Sequence, residues 1–426
     1  MIRMRVVGLA CFILAVGSSC EKEPRDKRDG GVFVSREVKW MTGVIDGEPL
    51  ASTAKSDANL VVDGAFIANG MGADGPTLVA LGVKTGARRW TWSNIFGDPA
   101  LTSIRVAHSL VQDGQLLYTV GGRKYCINTG SGETIWRSWD STGVALQGND
   151  AFQLGDYYYQ EGCSQQIDEV CAMTVHRGTF DGPELEEVIV TPIPLDSIRG
   201  NRSVDITSFD LVPGSDRLVA VVYQHIVEGA RFDNEFISYL GLYDLEAATW
   251  VYSGVQLHER QGNGVALAPL QITEDFVYIA VAETIMCYEI TTGAEIWRRR
   301  LPREIWTSGF VISEGVCAIN CENKTMYGLD ALTGRQLWTV PTAQLCSPLE
   351  GRVINGVVYF VCTSDHSVFG VDLREGRLVW KLDEEEMFRG KRGFQVSVSA
   401  MQPTADLPGL VFLRAGDQAL CVEAHR

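Results

Sequence analysis

Apolar and polar residues alternate along most of the chain in short runs with a period of two, which predicts β-strands rather than helices. In the stretch that ends at Trp338, alternating residues such as Tyr327 and Leu329 form one strand. A polar turn follows, and a second strand then carries the tryptophan. Upstream of the similar stretch that ends at Trp380, Val353–Tyr359 surrounds an Asn-Gly pair, a strong signal for a tight hairpin. Each unit therefore predicts four short antiparallel strands.

This unit is repeated along the chain. Five segments end in a tryptophan that has a glycine four residues before it. They are Leu78–Trp90, Tyr125–Trp136, Met286–Trp297, Met326–Trp338 and Val368–Trp380. Four of them carry Asp, Asn or Glu eight residues before the tryptophan. Asp and Asn side chains hydrogen-bond the backbone of a turn and glycine accepts a positive φ, so the spacing predicts one strand–turn–strand unit.

A four-stranded sheet cannot bury both of its faces alone, so the repeats must stack, and radial closure removes the open edges. The predicted fold is therefore all-β, a β-propeller of four-stranded antiparallel blades. Trp136 and Trp250 are 114 positions apart, a spacing that holds two repeats, and Val170–Val190 is a degenerate strand pair without its tryptophan.

The C-terminal part supplies three strands of a last blade. Its fourth strand is expected at the other end of the chain, where Arg36–Trp40 matches the outer strand Gly376–Trp380. The ring is thus predicted to close through pairing of Phe33–Trp40 with Ala419–Glu423, which gives eight blades.

The N-terminus has the features of a targeting segment. Arg3 and Arg5 precede an uncharged, largely apolar run, and small residues lead to Cys20, as in a lipoprotein signal peptide. We expect a signal peptide over residues 1–19, a lipid on Cys20, a charged flexible tether over 20–32 and one propeller over 33–424. The alternative is an ordinary secretory signal in which Cys20 is incidental.

The charge excludes one class of partner. The chain has 37 Lys and Arg against 53 Asp and Glu, for a net charge of −16. Such an acidic protein repels phosphate backbones, so nucleic-acid binding is not expected.

Cysteines and histidines offer few candidate sites. Export would permit disulfides, and the candidate pairs are Cys163 with Cys171 and Cys346 with Cys362; free buried thiols are the alternative. The six histidines show no metal-ligand spacing, and no metal or catalytic site is expected.

The repeats resemble the PQQ-like propeller repeat, or tryptophan-docking motif, which quinoprotein alcohol dehydrogenases share with BamB-like outer-membrane lipoproteins. The resemblance implies that tryptophans dock between neighbouring blades, with Gly328 and Gly370 as small partners. The matching residues are Trp40, Trp90, Trp136, Trp250, Trp297, Trp338 and Trp380. The adjacent Cys–Cys pair and the CxxCH haem motif of the dehydrogenases do not occur in the sequence. We therefore expect no cofactor and no catalysis, and a PQQ-dependent dehydrogenase is the alternative.

Two long hairpins on adjacent blades, Tyr157–Val170 and His225–Phe236, predict a partner-binding ridge on one face. Aromatic and arginine side chains dominate protein interfaces, which makes these residues the candidate anchors: Tyr157, Tyr158, Tyr159, Arg231 and Phe232. Solvated decorative loops are the alternative. The leading hypothesis is a non-catalytic scaffold, anchored to the outer membrane by its N-terminal lipid, that binds envelope proteins. A surface glycan-binding module is a further alternative.

Overall fold

A computed structural model shows the fold. The chain divides into two units, Met1–Val32 and Phe33–Arg426, and all described residues belong to the second. The structure describes residues 38–43, 60–72, 75–93, 106–120, 123–139, 151–167, 170–192, 202–227, 234–262, 268–305, 309–342, 351–362, 367–382, 398–415 and 418–425. These residues form 32 β-strands. Antiparallel four-stranded sheets arranged as eight blades confirm the predicted propeller.

Five blades have the repeat's simplest form, with four strands paired in chain order. Blade one contains β2 (Leu60–Val62), β3 (Ala65–Gly72), β4 (Gly75–Gly82) and β5 (Arg88–Trp92). Blade two contains β6 (Val106–Gln112), β7 (Gln115–Val120), β8 (Arg123–Asn128) and β9 (Thr134–Trp139). Blade five contains β18 (Gln271–Ile272), β19 (Phe276–Val281), β20 (Thr284–Glu289) and β21 (Glu295–Arg300). Blade six contains β22 (Phe310–Ser313), β23 (Val316–Cys321), β24 (Thr325–Asp330) and β25 (Gln336–Pro341). Blade seven contains β26 (Arg352–Ile354), β27 (Val357–Cys362), β28 (Ser367–Asp372) and β29 (Arg377–Leu382).

Blades three and four have longer strands. Blade three contains β10 (Ala151–Leu154), β11 (Tyr157–Ile167), β12 (Val170–Thr179) and β13 (Leu185–Val190). Blade four contains β14 (Arg202–Leu211), β15 (Leu218–Val227), β16 (Asn234–Asp244) and β17 (Thr249–Gly262). The degenerate repeat predicted at Val170–Val190 is the outer half of blade three.

Blade eight is built from both ends of the chain. It contains β1 (Val38–Gly43), β30 (Ser399–Met401), β31 (Leu410–Ala415) and β32 (Gln418–Glu423), in the order β1-β32-β31-β30. Strand β1 is antiparallel to β32, with Val38 opposite Val422 and Gly43 opposite Gln418. The predicted closure is therefore confirmed, and the described closing strand begins at Val38.

The propeller has two different ends. One, here called the turn face, carries the turn between the first and second strands of a blade and the turn between its third and fourth strands. The other, the connection face, is where each fourth strand ends and the next blade begins. On the turn face of blade six, Asp330 Oδ1 accepts the N–H groups of Leu332 and Thr333, and Gly334 has a φ of +66°. The predicted roles of Asp and Gly in the repeat are thus seen directly.

The seams between blades are held by a repeated aromatic contact on the turn face. An aromatic side chain on the fourth strand of one blade donates a hydrogen bond to a backbone carbonyl of the next blade. The donors and acceptors are Trp40 to Val83 (2.8 Å), Trp90 to Thr129 (2.7 Å), Trp136 to Phe180 (2.5 Å), Tyr252 to Ile290 (2.9 Å), Trp297 to Ala331 (2.9 Å) and Trp338 to Leu373 (2.8 Å). Each contact combines full or partial burial of a large ring with a satisfied polar tip.

The identity of the small docking partner differs from the prediction. Gly328 and Gly370 lie opposite Trp338 and Trp380 within the same blade. The residue of the next blade that packs on the ring is the turn glycine of the repeat. A Cβ atom on Gly334 would lie 2.6 Å from Cε3 of Trp297, for example. The turn glycine is therefore needed both for its positive φ and for close approach.

Trp250 contacts a neighbouring blade in the opposite direction to the other fourth-strand tryptophans. In blade four Ala248 holds the left-handed position of the turn, with a φ of +50°, and the residue four positions later is Tyr252. Tyr252 makes the forward contact to blade five. Trp250 points the other way and donates to the carbonyl of Val190 in blade three, at 3.3 Å. At the seam between blades three and four, the aromatic donor therefore comes from the later blade and the acceptor carbonyl from the earlier one.

Candidate functional site

The lengthened strands of blades three and four are the main departure from the repeat. Strands β11, β12 and β14 to β17 have 10 to 14 residues, whereas the second, third and fourth strands of blades five to seven have six. Four additional residues at about 3.3 Å each extend a strand by roughly 13 Å. Extra pairs such as Ile226 with Phe236 lie toward the connection face, because they are next to the hairpin end and far from the turn Asp244–Thr249. We call this extended part of β11, β12 and β14 to β17 the ridge.

The ridge joins the two blades through their backbones. Ala172 at the start of β12 pairs in parallel with Val204 at the start of β14. Strand β14 pairs in turn with β15, where Arg202 lies opposite Val227. The two hairpins therefore rise at the same end of the propeller, as the sequence predicts, and blades three and four form one continuous eight-stranded sheet.

The far side of the ridge is fixed to blade five by charged side chains. Arg260 on β17 forms an ion pair with Glu304 at 2.7 Å, and Arg298 on β21 donates to the carbonyl oxygen of Leu257 at 3.0 Å. His258 lies between these contacts, and burial lowers its pKa. These contacts support the lengthened hairpin of blade four from outside its own sheet.

Two of the predicted anchors are not on the surface. Tyr158 and Tyr159 are 0% and 3% exposed, because they belong to β11 itself and pack into the seams with blades two and four. The Tyr158 hydroxyl accepts a hydrogen bond from Lys124 Nζ at 3.1 Å. The sequence suggests a hairpin loop that begins at Tyr157. In the structure Tyr157 is instead the first residue of strand β11, which continues to Ile167.

Tyr157 is exposed, but it lies on the turn face rather than on the ridge. It is the first residue of β11, 41% exposed, and the Arg177 guanidinium lies over its ring at 4.7 Å. Arg177 also forms an ion pair with Glu186 at 2.5 Å. The remaining candidate anchors, Arg231 and Phe232, lie outside the described residues, as does Cys20.

The cysteine pairs stay predictions. On the backbone Cys163 lies opposite Met173, and Cys171 lies opposite Gln166. Cys346 is outside the described residues, and Cys362 ends β27. Other cysteines are free thiols in the core: Cys126, Cys287, Cys317, Cys321 and Cys421. Burial raises the pKa of Cys287 to about 12 and that of Cys126 to about 11.

The described residues contain neither a metal-binding cluster nor a membrane-spanning helix. Among them no group of three or more His, Cys, Asp or Glu side chains could hold a metal ion. No helix in this part of the chain is long and apolar enough to span a membrane.

Known proteins share parts of this sequence and its fold. Residues 250–426 match a family model described as outer membrane protein assembly factor BamB. Residues 250–426 thus carry the PQQ-like repeat, and the described residues as a whole have the propeller fold. No curated protein matches this propeller by sequence.

Solved structures share its fold at low identity. BamB from Moraxella catarrhalis is 11% identical, with a TM-score of 0.55 over 91% of this chain and 100% of that chain. A europium-containing methanol dehydrogenase is 10% identical, with a TM-score of 0.60 over 89% of this chain and 85% of that one. The computationally designed Ika8 protein is 13% identical, with a TM-score of 0.55 over 89% and 100% of the two chains. At these identities the likeness shows the fold alone.

Proposed function

We propose that this PQQ-like propeller is a non-catalytic scaffold, anchored to the outer membrane by a lipid on Cys20, that binds other envelope proteins through the ridge. The match of residues 250–426 to the BamB model supports a role near outer-membrane protein assembly. The observation that carries the proposal is the ridge itself. Strand extension and the joined sheet of blades three and four add nothing to the closure of the ring, which the other blades achieve with short strands.

The ridge suits a protein partner for physical reasons. Its backbone is fixed by sheet hydrogen bonds and by the Arg260–Glu304 ion pair, so little ordering entropy is lost when a partner binds. The sequence between β15 and β16 contains Arg231 and Phe232, side-chain types that concentrate interface energy.

The proposal is tested by shortening one hairpin. Gln224 and Ser238 lie opposite each other and share a hydrogen bond of 3.1 Å. Replacing residues 225–237 with an Asn-Gly turn keeps this pair and removes the hairpin end. The full-length lipoprotein, the shortened variant and a Leu332→Ala control would be purified from membranes after crosslinking. Leu332 is 61% exposed on the turn face of blade six and lies away from the ridge.

We expect one protein partner to co-purify with the wild type and the control but not with the shortened variant. Equal recovery with all three would refute the role of the ridge. Anchoring is tested separately, since Cys20→Ser should move the protein from the membrane fraction to the soluble one. Dye-linked alcohol oxidation by protein supplied with PQQ and calcium would refute the non-catalytic assignment.

A further inference from the structure

The seam between blades seven and eight lacks the docking contact that six other seams share. Trp380 is the fourth-strand tryptophan of blade seven and is 1% exposed. Its indole N–H has no hydrogen-bond acceptor among the described residues. In the preceding seam, the indole of Trp338 donates to the carbonyl of Leu373 at 2.8 Å. The Trp380 ring is therefore buried, and only its hydrogen bond to the next blade is missing.

The reason lies in how blade eight is built. In blades one, two, five, six and seven the third strand continues through a turn into the fourth, and this turn provides both the glycine and the acceptor carbonyl. In blade eight the third strand is β32 and the fourth is β1, which comes from the opposite end of the chain. Ala424 occupies the position of the acceptor residue, since its N–H bonds to the carbonyl of Gly409 just as the N–H of Leu373 bonds to that of Gly356.

After Ala424 the chain crosses back to blade seven. The N–H of His425 donates to the Tyr359 hydroxyl at 2.6 Å, and its carbonyl oxygen accepts from Asn355 Nδ2 at 2.9 Å. Tyr359 is fully buried and its ring meets the Trp380 ring edge to face, with centroids 5.5 Å apart. The two bonds of His425 therefore join the blades beside the tryptophan that has no acceptor.

We propose that Ala424 and His425 form a latch that replaces tryptophan docking at the seam between blades seven and eight. The latch makes this seam depend on the last residues of the fold, and the seam opens when those residues detach. This goes beyond the proposed function and does not depend on the ridge, which is on blades three and four.

Hydrogen exchange followed by mass spectrometry tests the latch on the full chain. Deleting His425 and Arg426 removes both bonds, and Tyr359→Phe with Asn355→Ala removes the same bonds from the other side without shortening the chain. We expect exchange to rise by roughly thirtyfold in residues 351–362 and 398–423, the loss that two neutral hydrogen bonds represent. Blades two and five should keep wild-type exchange. No change at the seam, or an equal rise in all blades, would overturn the latch.

Discussion

Replacing the docking glycine of blade six is expected to weaken the propeller through one defined contact. Gly334 has a φ of +66°, and a Cβ atom there would lie 2.6 Å from Trp297 Cε3 and 2.7 Å from its Cδ2. In Gly334→Ala the ring must therefore move. Movement of the ring breaks the 2.9 Å hydrogen bond from Trp297 to the carbonyl of Ala331.

The magnitude follows from three contributions. A non-glycine residue at left-handed φ costs about 1 kcal/mol, and loss of the hydrogen bond costs about 1 kcal/mol. Displacement of a tightly packed ring costs at least another 1 kcal/mol or so. We therefore expect Gly334→Ala to lower the free energy of unfolding by about 3 kcal/mol.

Gly315→Ala is the matched control. Gly315 is in the same blade, has a φ of +76° and has no atom within 4 Å of an added Cβ. Only the backbone contribution of about 1 kcal/mol applies there. For roughly 390 residues the entropy of unfolding is about 0.8 kcal/mol/K, so the melting temperatures of the two variants should differ by about 2–3 °C. Equal melting temperatures in calorimetry would refute the argument that the docking contact requires glycine.

Three further predictions concern ring closure, blade four and the core thiols. Deletion of Val38–Gly43 should expose the edge of β32 and lower the melting temperature by several degrees with aggregation, whereas unchanged melting would contradict closure by β1. Tyr252→Phe should destabilise the protein by about 1 kcal/mol in denaturant unfolding, because the carbonyl of Ile290 loses its donor; an unperturbed midpoint would argue against tyrosine docking. Burial raises the pKa of Cys287 and of Cys421 to about 12, so the neutral thiol is favoured up to that pH. Mass spectrometry should find neither thiol alkylated at pH 8 until denaturant is added, and labelling of native protein would show that these sites open.

The repeat was predictable because its physics is local. Asp330 and Gly334 determine a turn by themselves, and the tryptophan four residues later follows from strand geometry. Closure by β1 was predictable for the same reason, since the segment ending at Trp40 looks like an outer strand that lacks a partner in its own neighbourhood.

The errors occur where a residue's role depends on another blade. In blade four, Ala248 takes the left-handed turn position that glycine holds in other blades. Because the sequence has no glycine there, the spacing from glycine to tryptophan cannot reveal that Tyr252, and not Trp250, contacts blade five. The hydroxyl groups of Tyr158 and Tyr159 are compatible with a surface position as well as with a buried one, so the sequence does not reveal their burial. Their burial depends on Lys124 and on the seams with blades two and four, which lie far away in sequence.

The composite eighth blade also has a consequence for biosynthesis. Strand β1 is among the first parts of the propeller to be made, yet its partner β32 is nearly the last, with Val38 opposite Val422. The nascent chain therefore cannot close the ring until β32 has been made, and contacts of such large sequence separation form slowly. Until β32 is available, β1 has an unpaired edge that can associate with other chains. A chaperone that occupies β1 during this interval would act on the step at which the protein is most exposed to aggregation.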